Sequence, residues 1–292
     1  MKLPWPKFDF AWQPFTFKGV AAFAFAPLRR LLVMQAIFAV LTALSIVWFL
    51  NHAWFPTIRQ AILQMPEQGR IVSGRLEWEN KPPQSLAEGA FLGVIADLDH
   101  TGQIRIPADI QVELGRADVR FISLFGYVDQ PYPVDPGNPT IDFNRIQLEP
   151  WWGAWQPPIL WMVFGGVFVG LMVMWWILAA VYSVPVWLVA FFSNRKLSLI
   201  GGWKLAGAAL MPGAFLMILS IVSYGLGLFD LVQLVAIQVA HWGVGFVYCS
   251  GSLLRGIEIS APEIPSENPF HPEDKKTSSE RVGENPFKPR GN

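Results

Sequence analysis

Four long apolar runs, unevenly placed, constrain this chain more than any other feature. Leu31–Phe49, Ile159–Tyr182, Leu205–Tyr224 and Leu231–Leu254 each approach the roughly 20 apolar residues that a helix needs to cross a bilayer. The first run stands near the amino terminus, about a hundred more polar residues follow, and the other three come almost end to end. This spacing predicts a membrane α-helical protein with four transmembrane helices. It also predicts a small, mainly-β extracytoplasmic domain in the long gap and a disordered C-terminal tail. With 52% hydrophobic and only 15% charged residues among 292, most of the apolar surface must face lipid or other helices.

Charge orients the spans. Lys2, Lys7, Lys18, Arg29 and Arg30 precede the first run against Asp9 alone, Arg195 and Lys196 lie between the second and third, and Arg255 closes the fourth. The segment from Pro56 to Pro157 holds eight Lys or Arg and thirteen Asp or Glu, a net of minus five. Basic residues in short loops mark the cytoplasmic side. Both termini are therefore expected inside and the acidic segment outside. The expected divisions are a cytoplasmic interfacial segment 1–30, a first span 31–55 and the outer β-domain with its Pro-rich connector 56–157. Then come a second span with interfacial extension 158–192, a cytoplasmic loop 193–200, a third span 201–224, a fourth 228–254 and the tail 255–292.

The first run lacks a small-residue cleavage pattern, so it reads as a retained signal anchor. The one cysteine, Cys249, lies inside the fourth run, which excludes an intrachain disulfide. Asn138-Pro139-Thr140 has proline in the position that forbids glycosylation. Both absences lean toward a bacterial cytoplasmic membrane.

Within the gap, Arg70–Trp78, Ala90–Leu98, Ile110–Leu114 and Asp118–Phe125 read as strands of an antiparallel domain of about 70 residues, preceded by a short helix near Thr57–Gln64. Gln130–Pro150 carries five prolines and reads as an extended connector, and Trp151, Trp152 and Trp155 as an interfacial belt. Pro185 is expected to divide the second apolar run and Pro212 to kink the third span. Gly166 with Gly170, and Ala209 with Gly213, have the four-residue spacing of small residues that lets helices approach closely. Aromatics and prolines from Trp5 to Phe17 suggest an interfacial mooring, with a disordered tail as the alternative.

Three features raise the question of chemistry. Val94-Ile95-Ala96-Asp97-Leu98-Asp99-His100-Thr101 is an apolar strand ending in Asp-x-Asp-x-Thr. It resembles the first motif of haloacid-dehalogenase-type phosphatases, in which the two aspartates, here Asp97 and Asp99, serve as nucleophile and general acid beside magnesium. It also resembles the first half of a calcium loop through Asp97, Asp99, Thr101 and Gly102, but Ala108 stands where that loop needs glutamate. The further motifs of those phosphatases are missing, and a strand followed by a polar turn explains the run. On the fourth span, Asp230, His241, Tyr248 and Ser252 fall in one sector at 100° per residue, flanked by Gln233 and Gln238. An ionisable His241 near mid-bilayer is either a functional site or a hydrogen-bonded packing residue. In the tail, Glu267-Asn268-Pro269-Phe270 recurs as Glu284-Asn285-Pro286-Phe287. The repeat is either a pair of docking motifs on a flexible tether or a duplication without function.

No zinc-protease, nucleophile-elbow, Walker or dinucleotide pattern occurs, and no basic surface suits nucleic acid. No cofactor, metal site or catalytic residue is expected. The order of parts resembles a family of uncharacterised bacterial membrane proteins sometimes labelled maltodextrin-utilisation proteins, related to Yip-type membrane domains. The likeness lies in Gly69-Arg70-Ile71-Val72-Ser73-Gly74-Arg75-Leu76, Val94-Ile95-Ala96-Asp97 with Gly102, Leu124-Phe125-Gly126, and Trp203-Lys204-Leu205 with Pro212. The resemblance implies a Yip-like bundle with an inserted outer β-domain and no established catalytic residues. The leading expectation is a non-enzymatic envelope protein whose outer domain binds a protein partner or senses, with the lipid bilayer as its other partner. The alternatives are a transporter or transporter subunit using the face around His241, and a metal-dependent hydrolase acting through Asp97 and Asp99.

Overall fold

A computed structural model describes residues 13–78, 83–134 and 140–257. Helices α1 (Phe17–Phe23), α2 (Leu28–Phe49) and α3 (Phe55–Gln64) come first, with a π-helical segment at Leu50–Trp54 joining the last two. Eight strands follow: β1 (Arg70–Val72), β2 (Arg75–Glu77), β3 (Gln84–Glu88), β4 (Leu92–Ala96), β5 (Ile110–Leu114), β6 (Asp118–Ser123), β7 (Gly126–Pro131) and β8 (Thr140–Asp142). The chain closes with α4 (Arg145–Phe192), α5 (Leu199–Ala209), α6 (Met211–Gly225) and α7 (Leu231–Gly256). Among the described residues, four helical stretches are long and apolar enough to cross a membrane: Leu28–Gln64, Arg145–Phe192, Leu199–Gly225 and Leu231–Gly256. The β-sheets form a separate region at one end of them.

The helical part is built around α5 and α6. Alanines and glycines let these helices sit deep in the bundle: Leu205, Ala206, Ala208, Ala209 and Met211 are fully buried. Pro212 lies in the first turn of α6, where its missing N–H costs nothing, and the chain breaks at Leu210. The expected kink in the third span is thus a break between two helices. Gly213 belongs to a true close contact, since a Cβ there would lie 2.7 Å from the His241 carbonyl oxygen of α7. A Cβ on Gly166 or Gly170 would meet nothing within 4 Å, so the contact expected of them does not form; α4 packs here through Phe168, Leu171 and Met172 instead.

Two further expectations differ from the structure. The extended connector over Gln130–Pro150 instead contains the end of β7, all of β8 and the start of α4. Asn144 starts α4 by accepting from the Gln147 backbone N–H at 3.0 Å, a capping signal outweighed in the sequence by the surrounding prolines. Pro185 lies inside α4, which runs on unbroken to Phe192. Most of the aromatic stretch Trp5–Phe17 lies outside the described residues; the helix that follows, α1, is packed into the bundle, with Val20 and Phe23 buried. Small residues on α7 admit it, since a Cβ on Gly251 would strike the Phe17 ring at 2.5 Å and one on Gly256 would meet Ala21 at 2.3 Å.

In the β-region, the single strand expected over Arg70–Trp78 is a hairpin. Ser73 and Gly74 take positive φ of 50° and 77°, the backbone of a tight two-residue turn. Strands β2, β1 and β8 form one antiparallel sheet, and β3-β4-β5-β6-β7 a second. All neighbours in the second sheet are antiparallel except β4 and β5, which run parallel in the register Leu92↔Ile110 to Ala96↔Leu114. A parallel pair needs a crossover. Residues 97–109 make that crossover, leaving the top of β4 and returning to the foot of β5. The core beneath holds Leu76, Trp78, Leu86, Val94 and Leu114.

Candidate functional site

The crossover after β4 is shaped by its own side chains. Asp97 Oδ2 accepts from the Thr101 hydroxyl at 2.8 Å and from the Gly102 backbone N–H at 3.0 Å. His100 and Gly102 take positive φ of 49° and 67° to make this possible. Burial raises the Asp97 pKa, but the hydrogen bonds from Thr101 and Gly102 outweigh it and hold the carboxyl below its ordinary value. Asp99 points away to Arg116 at 3.3 Å, an exposed pair of little energetic weight. The two aspartates therefore do not face a common point, as a phosphatase pair or a calcium loop would require. Among the described residues no group of three His, Cys, Asp or Glu is placed to hold a metal ion.

The fold converts the neighbouring His100 into a bridge. Its Nδ1 lies 2.5 Å from Glu113 Oε1 on β5 and its Nε2 lies 2.7 Å from Asp118 Oδ1 on β6. As an imidazolium the ring donates to both carboxylates. Burial disfavours that charge, yet the bonds to Glu113 and Asp118 prevail and the His100 pKa is raised. Glycine is required beside it, because a Cβ on Gly115 would stand 2.2 Å from His100 Nε2. The Tyr132 hydroxyl donates to the Gly115 carbonyl at 3.0 Å and fixes the turn from behind.

His100 stands at one end of a cavity of about 760 Å³ running along the sheet to the start of α7. Its polar lining includes His100, Arg105, Asp109, Glu113, Arg120 and Asp230, with Ile104, Ile106 and Ile122 among the apolar lining. Arg120 is fixed by Asp129 at 2.7 and 3.2 Å and lies 4.7 Å over the Tyr127 ring. At the other end the cavity wall is tied to the bundle, because the Tyr224 hydroxyl of α6 donates to Asp109 Oδ2 at 2.6 Å. Tyr224 also packs against Phe49 of α2 at 5.2 Å and Phe91, just before β4, at 4.9 Å.

The polar residues of α7 are not gathered around any such space. Asp230 caps the helix: its Oδ1 accepts from Gln233 N at 2.7 Å, and Gln233 Oε1 accepts from Asp230 N at 3.1 Å. Gln238 donates to the Ser220 hydroxyl on α6 at 2.9 Å, and His241 Nδ1 turns back to the Gln238 carbonyl of its own helix. Tyr248 donates to the Phe15 carbonyl at 3.0 Å. Asp230 alone of the five reaches the cavity. The docking candidates Asn268, Pro269, Phe270, Asn285, Pro286 and Phe287 lie outside the described residues.

Sequence reasoning saw Asp97 and Asp99 and passed over Glu113 and Asp118. Alternation along β5 gives Gln111 and Glu113 the phase of a solvent-facing side, opposite Val112 and Leu114, yet both are buried, at 7% and 3% exposure. Their partners come from a crossover and a neighbouring strand, which no local pattern pairs. No family model, curated protein or solved structure matches this chain.

Proposed function

We propose that this chain is a non-enzymatic, multi-pass envelope protein whose β-domain binds an extracytoplasmic partner in the His100–Arg120 cavity and passes occupancy to the helices. The observation that carries this reading is Asp109: it lines the cavity and accepts the hydroxyl hydrogen bond of Tyr224 on α6. A partner competing for that carboxylate would act directly on the bundle. Support for the orientation comes from charge, with Arg29, Arg30, Arg195, Lys196 and Arg255 flanking the spans on the side assigned to the cytoplasm and the acidic segment opposite. The partner class favoured is a polypeptide segment, whose alternating amides and charges match a mixed-charge groove beside a sheet.

Photo-crosslinking in living cells tests the proposal. A photoreactive amino acid in place of Arg105 should give one adduct of defined mass that weakens with Arg120→Ala, whereas the same probe at Gln60 on α3 should not give it. Identical adducts at both positions, or none above background, would remove the partner reading. A transport role is the second reading. It depends on α7 alone, where Gln238, His241 and Tyr248 already have separate partners. His241→Leu with normal membrane abundance and lost solute flux would restore it.

A further inference from the structure

We propose that the β6–β7 hairpin is a membrane-contacting arm, whose tip residues Leu124 and Phe125 enter the interface of the leaflet beside the β-domain. The inference uses the membrane reading of the four helices and does not depend on what fills the cavity.

Strand register fixes which way the hairpin points. Ile110 pairs with Leu92 on one side and Ser123 on the other. The residues just before Ile110 and Leu92 are Asp109 and Phe91, and both touch Tyr224 at the end of α6. This is therefore the edge of the sheet that rests on the helices. Ser123 pairs with Gly126, so Leu124 and Phe125 form the two-residue turn at that same edge. Gly126 takes a positive φ of 108° to close it. Strand β7 lies two strands beyond β5, about 10 Å sideways, which carries the tip past Tyr224. Leu124 and Tyr127 line the cavity on one side, and Leu231 and Val232, the first residues of α7, line it on the other. The tip thus stands near the level where α7 begins.

Composition changes at the same place. From Phe121 to Val128 the hairpin holds no charged residue. At its base Arg120 and Asp129 pair across the two strands, at 2.7 Å, and satisfy one another. Beyond that pair Leu124 is 54%, Phe125 78% and Val128 67% exposed. Leucine and aromatic side chains at this depth gain from an acyl–headgroup boundary, and a turn can enter it while its strands keep their ladder. A second copy of the chain pairing along β7 is the competing occupant. Asp129 and Pro131 on that edge blunt strand-to-strand pairing, and the turn faces the bilayer side and not sideways.

The test uses the full chain in phosphatidylcholine vesicles. In a Cys249→Ala background, Phe125→Cys or Gln130→Cys is labelled with nitrobenzoxadiazole, and quenching by lipids spin-labelled near the headgroup or deep in the acyl chain is compared. Gln130 lies five residues up the same strand, about 16 Å away. The label at 125 should show at least about twofold more quenching by the shallow spin label than the label at 130, as burial of 5–10 Å requires. Equal, weak quenching at both sites would overturn the proposal. Crosslinking between two copies through position 125 without lipid quenching would overturn it in favour of the second copy. The unsubstituted chain gives an independent readout: a photoactivatable phosphatidylcholine should modify the 121–128 peptide, and its absence among modified peptides would count against the arm. Neither result bears on crosslinking at Arg105, so the two proposals fail separately.

Discussion

His100 ties three parts of the β-domain together, the crossover after β4, strand β5 and strand β6, through Glu113 and Asp118. Its raised pKa means that the protonated ring stabilises the folded state fully below the ordinary imidazole value of 6.5, and that this contribution is lost as pH rises through the higher folded value. The melting transition of the β-domain should fall as pH is raised across that window, and His100→Asn should flatten the dependence. The same substitution leaves Glu113 buried without its cation, at a cost of about 2 kcal/mol or more while the carboxylate is ionised. Gly115→Ala drives a Cβ into Nε2 and should lower the melting temperature at all pH values, by the equivalent of about 1–3 kcal/mol. It should also weaken the pH dependence, which a merely strained turn would leave alone. His100 was in view as a letter in the Asp-x-Asp-x-Thr run, but its two partners lie 13 and 18 residues away on different strands. Only the parallel crossover brings them together.

Elements built on a single local rule were legible in the chain. The four long helices follow from apolar length; Asp230 and Gln233, assigned from the sequence to a polar face of the fourth span, instead form the capping box that starts α7. Strands β3, β7 and β8 were missed because their residues alternate weakly and stand among prolines, so that pairing with a neighbour, not propensity, decides them. Close helix contacts show the same limit. Gly166, Gly170 and Gly213 carry one and the same spacing signal, yet only Gly213 faces another backbone. Gly213→Ala should therefore push α6 from α7 and destabilise the detergent-solubilised protein by about 1–3 kcal/mol. Gly166→Ala, in open space on a helix, should be neutral or stabilising by up to about 1 kcal/mol. Parallel thermal melts of the two variants decide this, and equal losses would mean that both glycines pack.

For the whole molecule, sheet and bundle meet along α3, where Ala61 and the following Met65 join the β-domain core, and at a seam beside the end of α6. Phe49, Phe91 and Tyr224 form its aromatic part and the Asp109–Tyr224 hydrogen bond its polar part. Tyr224→Phe keeps the aromatic contacts and removes one charge-assisted bond, worth about 1.5–3 kcal/mol. It should raise amide exchange and protease cleavage in the 97–109 crossover while leaving the four long apolar helical stretches protected, as hydrogen-exchange mass spectrometry of the full chain would reveal. Exchange spread evenly over the protein would instead mean that the seam holds the bundle together. The sequence alone determined that the chain carries four helices of membrane-spanning length and a separate β-region, because helix length and apolar content are properties of contiguous residues. Tertiary structure decided the rest: that α1 lies within the bundle, that α7's polar residues are spent separately, and that His100 and Asp109 frame one cavity. Those outcomes depend on which distant surfaces meet, and a linear pattern of residue types does not encode that meeting locally.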